Sequence, residues 1–311
     1  MVLYPEIVPT KSLEEALRDD EIQLVIVNTP DDTHYEFAKK CLEAGKHIVV
    51  EKPFTQTVEQ AEELIRIAAR SKKVLSVYHN RRWDGDFQTV QKIIREKTLG
   101  RVVEYAARWD RYLSSPRLNT WKEQPERGAG MLTDLGSHLI DQALVLFGVP
   151  EAVSSHLNTV RPGSTIVDWF VVRLHYAGTN VEVRGSFLAR EPSPRYVLHG
   201  TQGSFIKHGV DPQEDDLQHG KKLSDPGWGI EPASSWGFLH TEHDGKSVKK
   251  KIETLPGNYG GYYENIADCI NHGTGPAVKP EESLLLMNII AAAKRSHELK
   301  KTIALQVPGP E

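Results

Sequence analysis

The stretch Ala44-Gly-Lys-His-Ile-Val-Val-Glu-Lys-Pro53 decides the fold of the first part of the chain. A helical pattern ends at Gly45, and the apolar run that follows shows no polar alternation. Such a run is typical of a strand in a parallel sheet that is covered on both faces. Comparable runs lie at 24–28 and 74–79, with helical patterns between them. Strands and helices that alternate with short links predict right-handed crossovers, as in half of a doubly wound nucleotide-binding domain.

A second kind of pattern begins at about residue 86. Residues 151–207 alternate apolar and polar positions between turn signals, which predicts antiparallel strands. Residues 211–247 are rich in Gly, Pro, Asp and Ser, so we expect irregular loops there. The other elements predicted in this part are helices at 87–96, 131–147, 260–272 and 281–300, and strands at 102–112 and 302–307.

Together these patterns predict an α/β protein with two domains. Residues 1–85 are expected to form a partial Rossmann-type parallel sheet, and residues 86–311 an α+β domain with a large antiparallel sheet. The length of 311 residues agrees with two domains rather than one. We also expect the C-terminal helix to pack back on the first domain.

The composition excludes several classes of partner. Charged residues make up 26% of the chain and the net charge is -4, and no basic stripe indicates nucleic-acid binding. No apolar run approaches the roughly 20 residues of a membrane span, and the first residues lack the pattern of a signal peptide. Cys41 and Cys269 form neither a disulfide framework nor a zinc site. We therefore expect a cytoplasmic protein with reduced thiols, no bound metal and a small-molecule ligand.

Lys52 is the first candidate for chemistry. It follows a predicted parallel strand, and ligands of open α/β sheets bind beyond the carboxyl ends of the strands. A lysine in that crevice can donate a hydrogen bond to a substrate oxygen and stabilise charge while a hydride moves. On position alone, a surface lysine is the alternative interpretation.

The segment Asp134-Leu-Gly-Ser-His-Leu-Ile-Asp141 supplies the second candidate. Spacings of four and three place Asp134, His138 and Asp141 on one helical face. A histidine oriented by a carboxylate is a suitable general base because its pKa lies near neutrality. Two alternatives stay open: a divalent-metal site, which lacks accompanying ligands, and a helix cap followed by a buried core histidine.

Two further polar segments follow predicted strands. Asn28-Thr-Pro-Asp-Asp-Thr-His34 is also explained as a turn that leads into a capped helix. His79-Asn-Arg-Arg-Trp-Asp84 could line a polyol pocket or form a seam between domains. Other pocket candidates are Arg111, Tyr112, Trp121 and Tyr259.

The order of these motifs resembles the Gfo/Idh/MocA family of oxidoreductases over nearly the whole chain. The motifs that carry the resemblance are Asn28-Thr-Pro with His34, Ala44 to Pro53, Asn80-Arg-Arg-Trp-Asp84, Asp134 with His138, and Gly200-Thr-Gln-Gly-Ser-Phe205. Segments 211–214 and 255–259 are similar to the branch that contains NADP-linked scyllo-inositol dehydrogenase.

The resemblance implies roles for particular residues. Lys52 would contact the reacting hydroxyl near the nicotinamide, His138 would be the acid/base, and Asp134 would pair with His138 and contact the substrate. The positions implied to line the cofactor cleft are Asn28, Pro30, His34, Glu51, Lys52 and His79, and those implied for substrate are Arg81, Trp83 and Tyr259.

The implied reaction transfers a hydride between a nicotinamide cofactor and the CH–OH group of a polyol or sugar, such as an inositol. The cofactor would be NAD or NADP, and the branch favours NADP. The family resemblance also implies sugar metabolism and a homo-oligomer that pairs through the open face of the C-terminal sheet.

The sequence departs from the family at the glycine-rich turn that holds the cofactor's pyrophosphate. Before Gly85 its only glycine is Gly45, and the resemblance begins around Tyr4, after the segment that selects NAD or NADP. Three parallel strands would then keep one apolar edge uncovered. Three explanations stay open: a truncated gene model, a fragment completed by another chain, or a degenerate sugar-binding or regulatory member that cannot bind the cofactor alone. The complete set Lys52, Asp134 and His138 favours the first.

Overall fold

The first part of the chain forms a small parallel sheet covered by helices. The computed structural model describes residues 7–117, 120–127 and 129–305, so the start of the resemblance at Tyr4 and the end of the last expected strand lie outside the described residues. The elements of this part are α1 (Leu13–Arg18), β1 (Leu24–Val27), α2 (His34–Glu43), β2 (His47–Val50), α3 (Val58–Ser71) and β3 (Leu75–Val77). The strands are parallel in the order β1-β2-β3, which confirms the predicted Rossmann-like sheet.

Burial on both faces explains the unbroken apolar run of β2. Ile48 and Val50 belong to a cluster with α2 and α3, while Val49 packs against Tyr262 and Ile266 on the other face. All three strand residues are fully buried. Burial of each such side chain stabilises the fold by about 1.5–3 kcal/mol relative to exposure. A strand in which polar and apolar residues alternate would have one polar face. The unbroken apolar run of β2 therefore matches its burial on both faces.

The second part is built on one large mixed sheet. Its elements are α4 (Gly85–Arg95), β4 (Val102–Asp110), α5 (Ser137–Phe147), β5 (Ala152–Asn158), β6 (Trp169–Tyr176), β7 (Thr179–Ser186), β8 (Tyr196–Gly200), β9 (Gly203–Lys207), α6 (Gln213–Gln218), β10 (Gly237–His243), β11 (Lys246–Ile252), α7 (Gly260–His272), α8 (Pro280–Leu299) and β12 (Ile303–Ala304). The nine strands run in the order β11-β10-β9-β8-β4-β7-β6-β5-β12. All neighbours are antiparallel except β4 and β7, which are parallel. The expected antiparallel sheet therefore contains one parallel pair.

The main core lies between this sheet and helices α4, α5 and α8. Along β6, Phe170, Val172 and Leu174 face the core, whereas Arg173 and His175 are exposed on the opposite face. Helix α8 also reaches the first part, where Leu284 and Met287 pack against the cluster of the parallel sheet. Helix α7 covers the other face of that sheet, so both late helices hold the two parts together.

One expectation about local structure was wrong. Residues 211–247 are not all loop, because they contain α6, all of β10 and the start of β11. The turn between β10 and β11 is Asp244-Gly245, and both residues have positive φ (51° and 70°). Such a turn matches the twist of a hairpin, so the Asp-Gly pair predicts it. The helix expected at 131–147 is confirmed, and its first part, Leu132–Gly136, is π-helical before α5 begins.

A search for membrane spans gives a negative result for the described part of the chain. None of its helices combines the length and the apolar character needed to cross a bilayer.

Candidate active site

A cavity of about 420 Å³ lies where the strand ends of the parallel sheet meet the second part of the chain. The first part contributes residues that follow β1, β2 and β3, as expected for an open α/β sheet. The second part contributes the segment after β4, a loop with two short helical turns, and the π-helix with the start of α5. The side chains used below that line it are Asn28, Asp31, His34, Glu51, Lys52, Arg81, Arg111, Arg117, Trp121, Lys122, Glu123, Asp134, His138 and Glu214.

Lys52 connects the two parts of the chain across this cavity. Its Nζ donates to the backbone oxygen of Asp134 at 2.8 Å and to Oδ1 of the same residue at 2.6 Å. Burial would raise the pKa of Asp134, but the charges of Lys52 and Lys122 outweigh it and hold that pKa well below its usual range. The carboxylate therefore stays ionised and fixes the direction of the ammonium group.

The ring of His138 lies in the first turn of α5 and lines the same cavity. Its Nδ1 is buried and has no hydrogen-bond partner among the described residues. Burial, followed by the positive charges of Lys52 and Arg81, lowers the pKa of His138 well below 6.5. The imidazole is therefore neutral at neutral pH and can accept a proton.

The expected pairing of a carboxylate with His138 is not present. Asp134 lies in the π-helical segment Leu132–Gly136 and accepts from Lys52. Asp141 accepts from Nη2 of Arg82 at 2.6 Å and from its Nε at 2.9 Å. Both carboxylates that the spacing assigned to His138 are thus bound to cations from the first part of the chain. Within the described residues no group of potential metal ligands forms a metal site.

Some of the residues predicted to bind the cofactor line the cavity, and others do not. Asn28, His34 and Glu51 line the cavity, whereas Pro30 and His79 do not. The ring of His34 bridges the backbone oxygens of Thr29, at 2.9 Å, and Pro53, at 2.8 Å, and so joins the loops after β1 and β2. His79 is buried without a ring partner among the described residues, and burial lowers its pKa to about 4.

The substrate candidates are not all brought together either. Arg81 lines the cavity, but Trp83 and Tyr259 do not. Trp83 packs edge-on against Tyr262 at 5.4 Å, because the short 3₁₀ turn after β3 directs Arg81 and Trp83 to different sides. The hydroxyl of Tyr259 donates to Asp84 at 2.9 Å and accepts from Arg81 at 3.2 Å, so Tyr259 supports Arg81 from behind.

Three of the other pocket candidates have clear positions. Arg111 and Trp121 line the cavity, whereas Tyr112 is exposed and lies under the guanidinium of Arg190 at 3.8 Å from the ring centre. The cavity is also lined by Arg117, Lys122 and Glu214, which could not be predicted from the sequence. These residues lie in irregular segments or a short helix, and no periodic pattern distinguishes them from surface charges.

The fold and the cavity together define a class of protein. The described residues fit the nicotinamide end of a dinucleotide, because the strand ends of β1 and β2 open beside Lys52 and His138. The sequence contains no Gly-x-Gly-x-x-Gly motif, which would form a turn that binds the pyrophosphate. A parallel half-sheet with a lysine after one of its strands, beside a neutral histidine at the start of α5, suits an NAD(P)-dependent dehydrogenase, in which the cofactor carries the hydride and the protein supplies orientation and proton transfer.

Comparison with known protein families leads to the same class. Residues 4–79 match the model of the oxidoreductase family with an NAD-binding Rossmann fold, GFO_IDH_MocA. Residues 91–305 match the C-terminal alpha/beta domain of the same oxidoreductase family. The chain therefore belongs to the Gfo/Idh/MocA family of oxidoreductases.

Several relatives are similar over almost the whole chain. The scyllo-inositol 2-dehydrogenase (NADP⁺) IolW of Bacillus subtilis is 41% identical over 97% of this chain and 84% of its own length. The uncharacterised oxidoreductase YdgJ of Escherichia coli is 38% identical over 97% of this chain and 86% of its own length. A solved oxidoreductase structure from Bacteroides fragilis superposes with a TM-score of 0.90 at 44% identity, covering 97% of this chain and 87% of that one.

Proposed function

We propose that this protein transfers a hydride between NADP and a CH–OH carbon of a polyol or sugar, with Lys52, Asp134 and His138 at the reacting centre. The observation that carries the proposal is the ion pair of Lys52 with Asp134 beside the neutral ring of His138, at one end of the cavity. The similarity to an NADP-dependent scyllo-inositol dehydrogenase favours a cyclic polyol and NADP within that class.

Each of the three side chains has one task in this proposal. The ammonium group of Lys52 donates a hydrogen bond to the reacting oxygen while Asp134 fixes its position. His138 accepts the hydroxyl proton during oxidation and returns it to the carbonyl oxygen during reduction. The bound nicotinamide supplies or accepts the hydride, and the chain supplies orientation and proton transfer.

The cofactor residues belong to the same proposal. Asn28, His34 and Glu51 would line the nicotinamide side of the cavity, with Pro30 and His79 as supports behind it. Burial raises the pKa of Glu51, whose carboxyl group also accepts from the backbone N–H of Lys52 at 3.0 Å. This contact holds the strand end in place where the cofactor would bind.

Two features of organisation complete the proposal. The chain divides into a nucleotide-binding part at 1–85 and a substrate and assembly part at 86–311. Copies of the chain would pair through the open face of the large sheet, where Arg173 and His175 are exposed. The half-buried Trp169 and Val171 lie on the same face, and such a mixture of polar and apolar side chains suits an interface between identical sheets.

Fluorescence titration of the full chain with NADPH and NADH is the first test. We expect micromolar binding and a preference for NADPH. Assays with NADP⁺ should then show oxidation of scyllo-inositol or myo-inositol in preference to open-chain alcohols. Failure to bind either dinucleotide at millimolar concentration, or binding without turnover of any cyclic polyol or sugar, would refute the proposed function.

A further inference from the structure

The charges that line the cavity are almost all paired. Five cationic and five acidic side chains line it: Lys52, Arg81, Arg111, Arg117 and Lys122, and Asp31, Glu51, Glu123, Asp134 and Glu214. Lys52 contacts Asp134 at 2.6 Å, and Lys122 lies 3.7 Å from the other oxygen of Asp134. Arg81 binds Glu214 and Asp84.

The remaining acids are also engaged or neutralised. Glu123 accepts from both terminal nitrogens of Arg161, at 3.0 and 2.9 Å. Burial raises the pKa of Asp31 and of Glu51, which weakens both as counter-ions. Among the described residues, no acidic side chain of the cavity therefore forms an ion pair with Arg111 or Arg117, the two arginines of the cavity that follow β4.

Among the described residues, Arg111 forms no ion pair although it lines the cavity. Its guanidinium makes no hydrogen bond or ion pair with any described residue and lies 5.7 Å from the ring centre of Trp109. The side chain is half-buried, and burial lowers its pKa. The charge of Asp134 opposes this shift, but the charges of Arg81, Arg117 and Arg195 add to it, so the pKa of Arg111 lies below its ordinary value. A guanidinium that is removed from water among other cations is unfavourable unless an anion binds beside it.

The backbone holds Arg111 in place for such an anion. Its N–H donates to the oxygen of Ser186 at 2.8 Å, and its own oxygen accepts from the N–H of Ala189 at 3.0 Å. Arg117, on the same segment, lines the cavity, and among the described residues its side chain has no acidic partner. The planar fork of a guanidinium binds a carboxylate or a phosphate through two parallel hydrogen bonds.

We infer that the substrate carries an acid group, which Arg111 binds with the help of Arg117, so that the substrate class is an acidic sugar or cyclitol. This inference rests on the proposed function, since it describes the substrate of the same cavity. A neutral polyol would bind in the same cavity more weakly, because its hydroxyls leave the guanidinium without a compensating charge. A sugar carboxylate and a sugar phosphate share the required chemistry, and the experiment separates them.

Calorimetric titration of the full chain with matched acid and neutral sugars tests this inference without requiring turnover. The probes are D-glucuronate against D-glucose, D-galacturonate against D-galactose, and D-glucose 6-phosphate against D-glucose. We expect at least one acid to bind roughly 10–100-fold more tightly than its neutral partner, the range of a charge-assisted hydrogen bond. The pair that shows this preference distinguishes the carboxylate from the phosphate.

Variants then assign the preference to Arg111. In Arg111→Gln the ratio of acid to neutral affinity should fall at least tenfold, and Arg111→Lys, which keeps the charge but not the fork, should retain part of it. Arg66→Gln, at an exposed position on α3, should leave the ratio unchanged. Circular dichroism should show an intact fold in Arg111→Gln, because no internal ion pair is lost.

Four results would overturn the inference. One is equal binding of every acid and its neutral partner. Another is an acid preference that survives in Arg111→Gln. The third is a loss in that variant of NADPH affinity instead of acid affinity, which would assign Arg111 to the cofactor. Turnover of neutral polyols without an acid preference would overturn the inference while leaving the proposed function intact.

Discussion

The imidazole of His138 is the proton acceptor in the proposed reaction, because it lines the cavity and its buried Nδ1 has no partner among the described residues. Replacement of His138 by Asn keeps a polar side chain of similar size but removes the base, so we expect kcat to fall about 10²–10⁴-fold. Steady-state kinetics with NADP⁺ and the best polyol would measure the loss. The affinity for NADPH should stay within about twofold, and His240→Asn, at an exposed strand position, should behave as the native protein does. A kcat unchanged in His138→Asn would remove this residue from the chemistry.

The low pKa of His138 also predicts how kcat/KM depends on pH. Because its pKa lies well below 6.5, the neutral form that oxidation needs predominates from pH 6.5 upward, and kcat/KM for oxidation should be flat there. Reduction needs the protonated ring, so its kcat/KM should fall about tenfold per pH unit between pH 6.5 and 8.5.

The profile of Lys52→Met provides the control for this assignment. Lys52 is the largest of the charges that lower the pKa of His138, so its removal should move the acid limb of oxidation to higher pH. An oxidation limb at or above pH 6.5 in the native protein would contradict the buried, neutral imidazole described here.

At the scale of elements, Arg82 joins three segments that are distant in sequence. Its guanidinium binds Asp141 on α5, the carboxylate of Glu282 on α8 at 2.8 Å and the backbone oxygen of Ala277 at 2.9 Å. Arg82→Gln would leave Asp141 buried and without a counter-ion. We expect a loss of about 3–5 kcal/mol in the free energy of unfolding, measured by urea denaturation.

The double variant Arg82→Met with Asp141→Leu separates charge from packing. Removal of both charges should recover much of the stability lost in Arg82→Gln, because an apolar pair carries no desolvation cost. Arg66→Gln, whose partner Glu62 is exposed, should change the free energy of unfolding by less than about 1 kcal/mol. A loss that small in Arg82→Gln as well would show that this network is dispensable.

The elements that could be predicted from the sequence are those whose pattern is local. The unbroken apolar run of β2 and the alternation of apolar and polar residues in β6 each indicate which faces of the strand are buried. The structure confirms both strands. The π-helical segment within the helix at 131–147 leaves no comparable trace in the sequence, and the contact of its Asp134 with Lys52 joins residues that are distant in sequence. The same holds for the site. Lys52 and His138 could be predicted because one follows a strand and the other lies at the start of a helix. Their actual partners required the tertiary structure.

At the scale of the whole molecule, two unequal ion pairs anchor the loop 120–127, whose Trp121 and Lys122 line the cavity. The inner end of this loop is fixed by Glu123, which binds the fully buried side chain of Arg161. Arg161 also binds Asp168 at 2.8 Å. The outer end is held by Arg127, which donates to both carboxylate oxygens of Asp32 at 2.7 and 2.9 Å, in a partly exposed pair across the two parts of the chain.

Because one ion pair is partly exposed and the other is buried, we expect the two anchors to affect different properties. Arg127→Gln should change the free energy of unfolding by less than about 1 kcal/mol, because exposed ion pairs contribute little. The same variant should raise KM several-fold with kcat nearly unchanged, since the loop would close over the substrate less often. Glu123→Gln removes one counter-ion of a buried arginine and should cost about 1–3 kcal/mol of unfolding free energy. Thermal denaturation and steady-state kinetics on both variants would measure these effects. Equal loss of stability in the two would show that the outer pair supports the fold, whereas an unchanged KM in Arg127→Gln would show that it does not control access to the cavity.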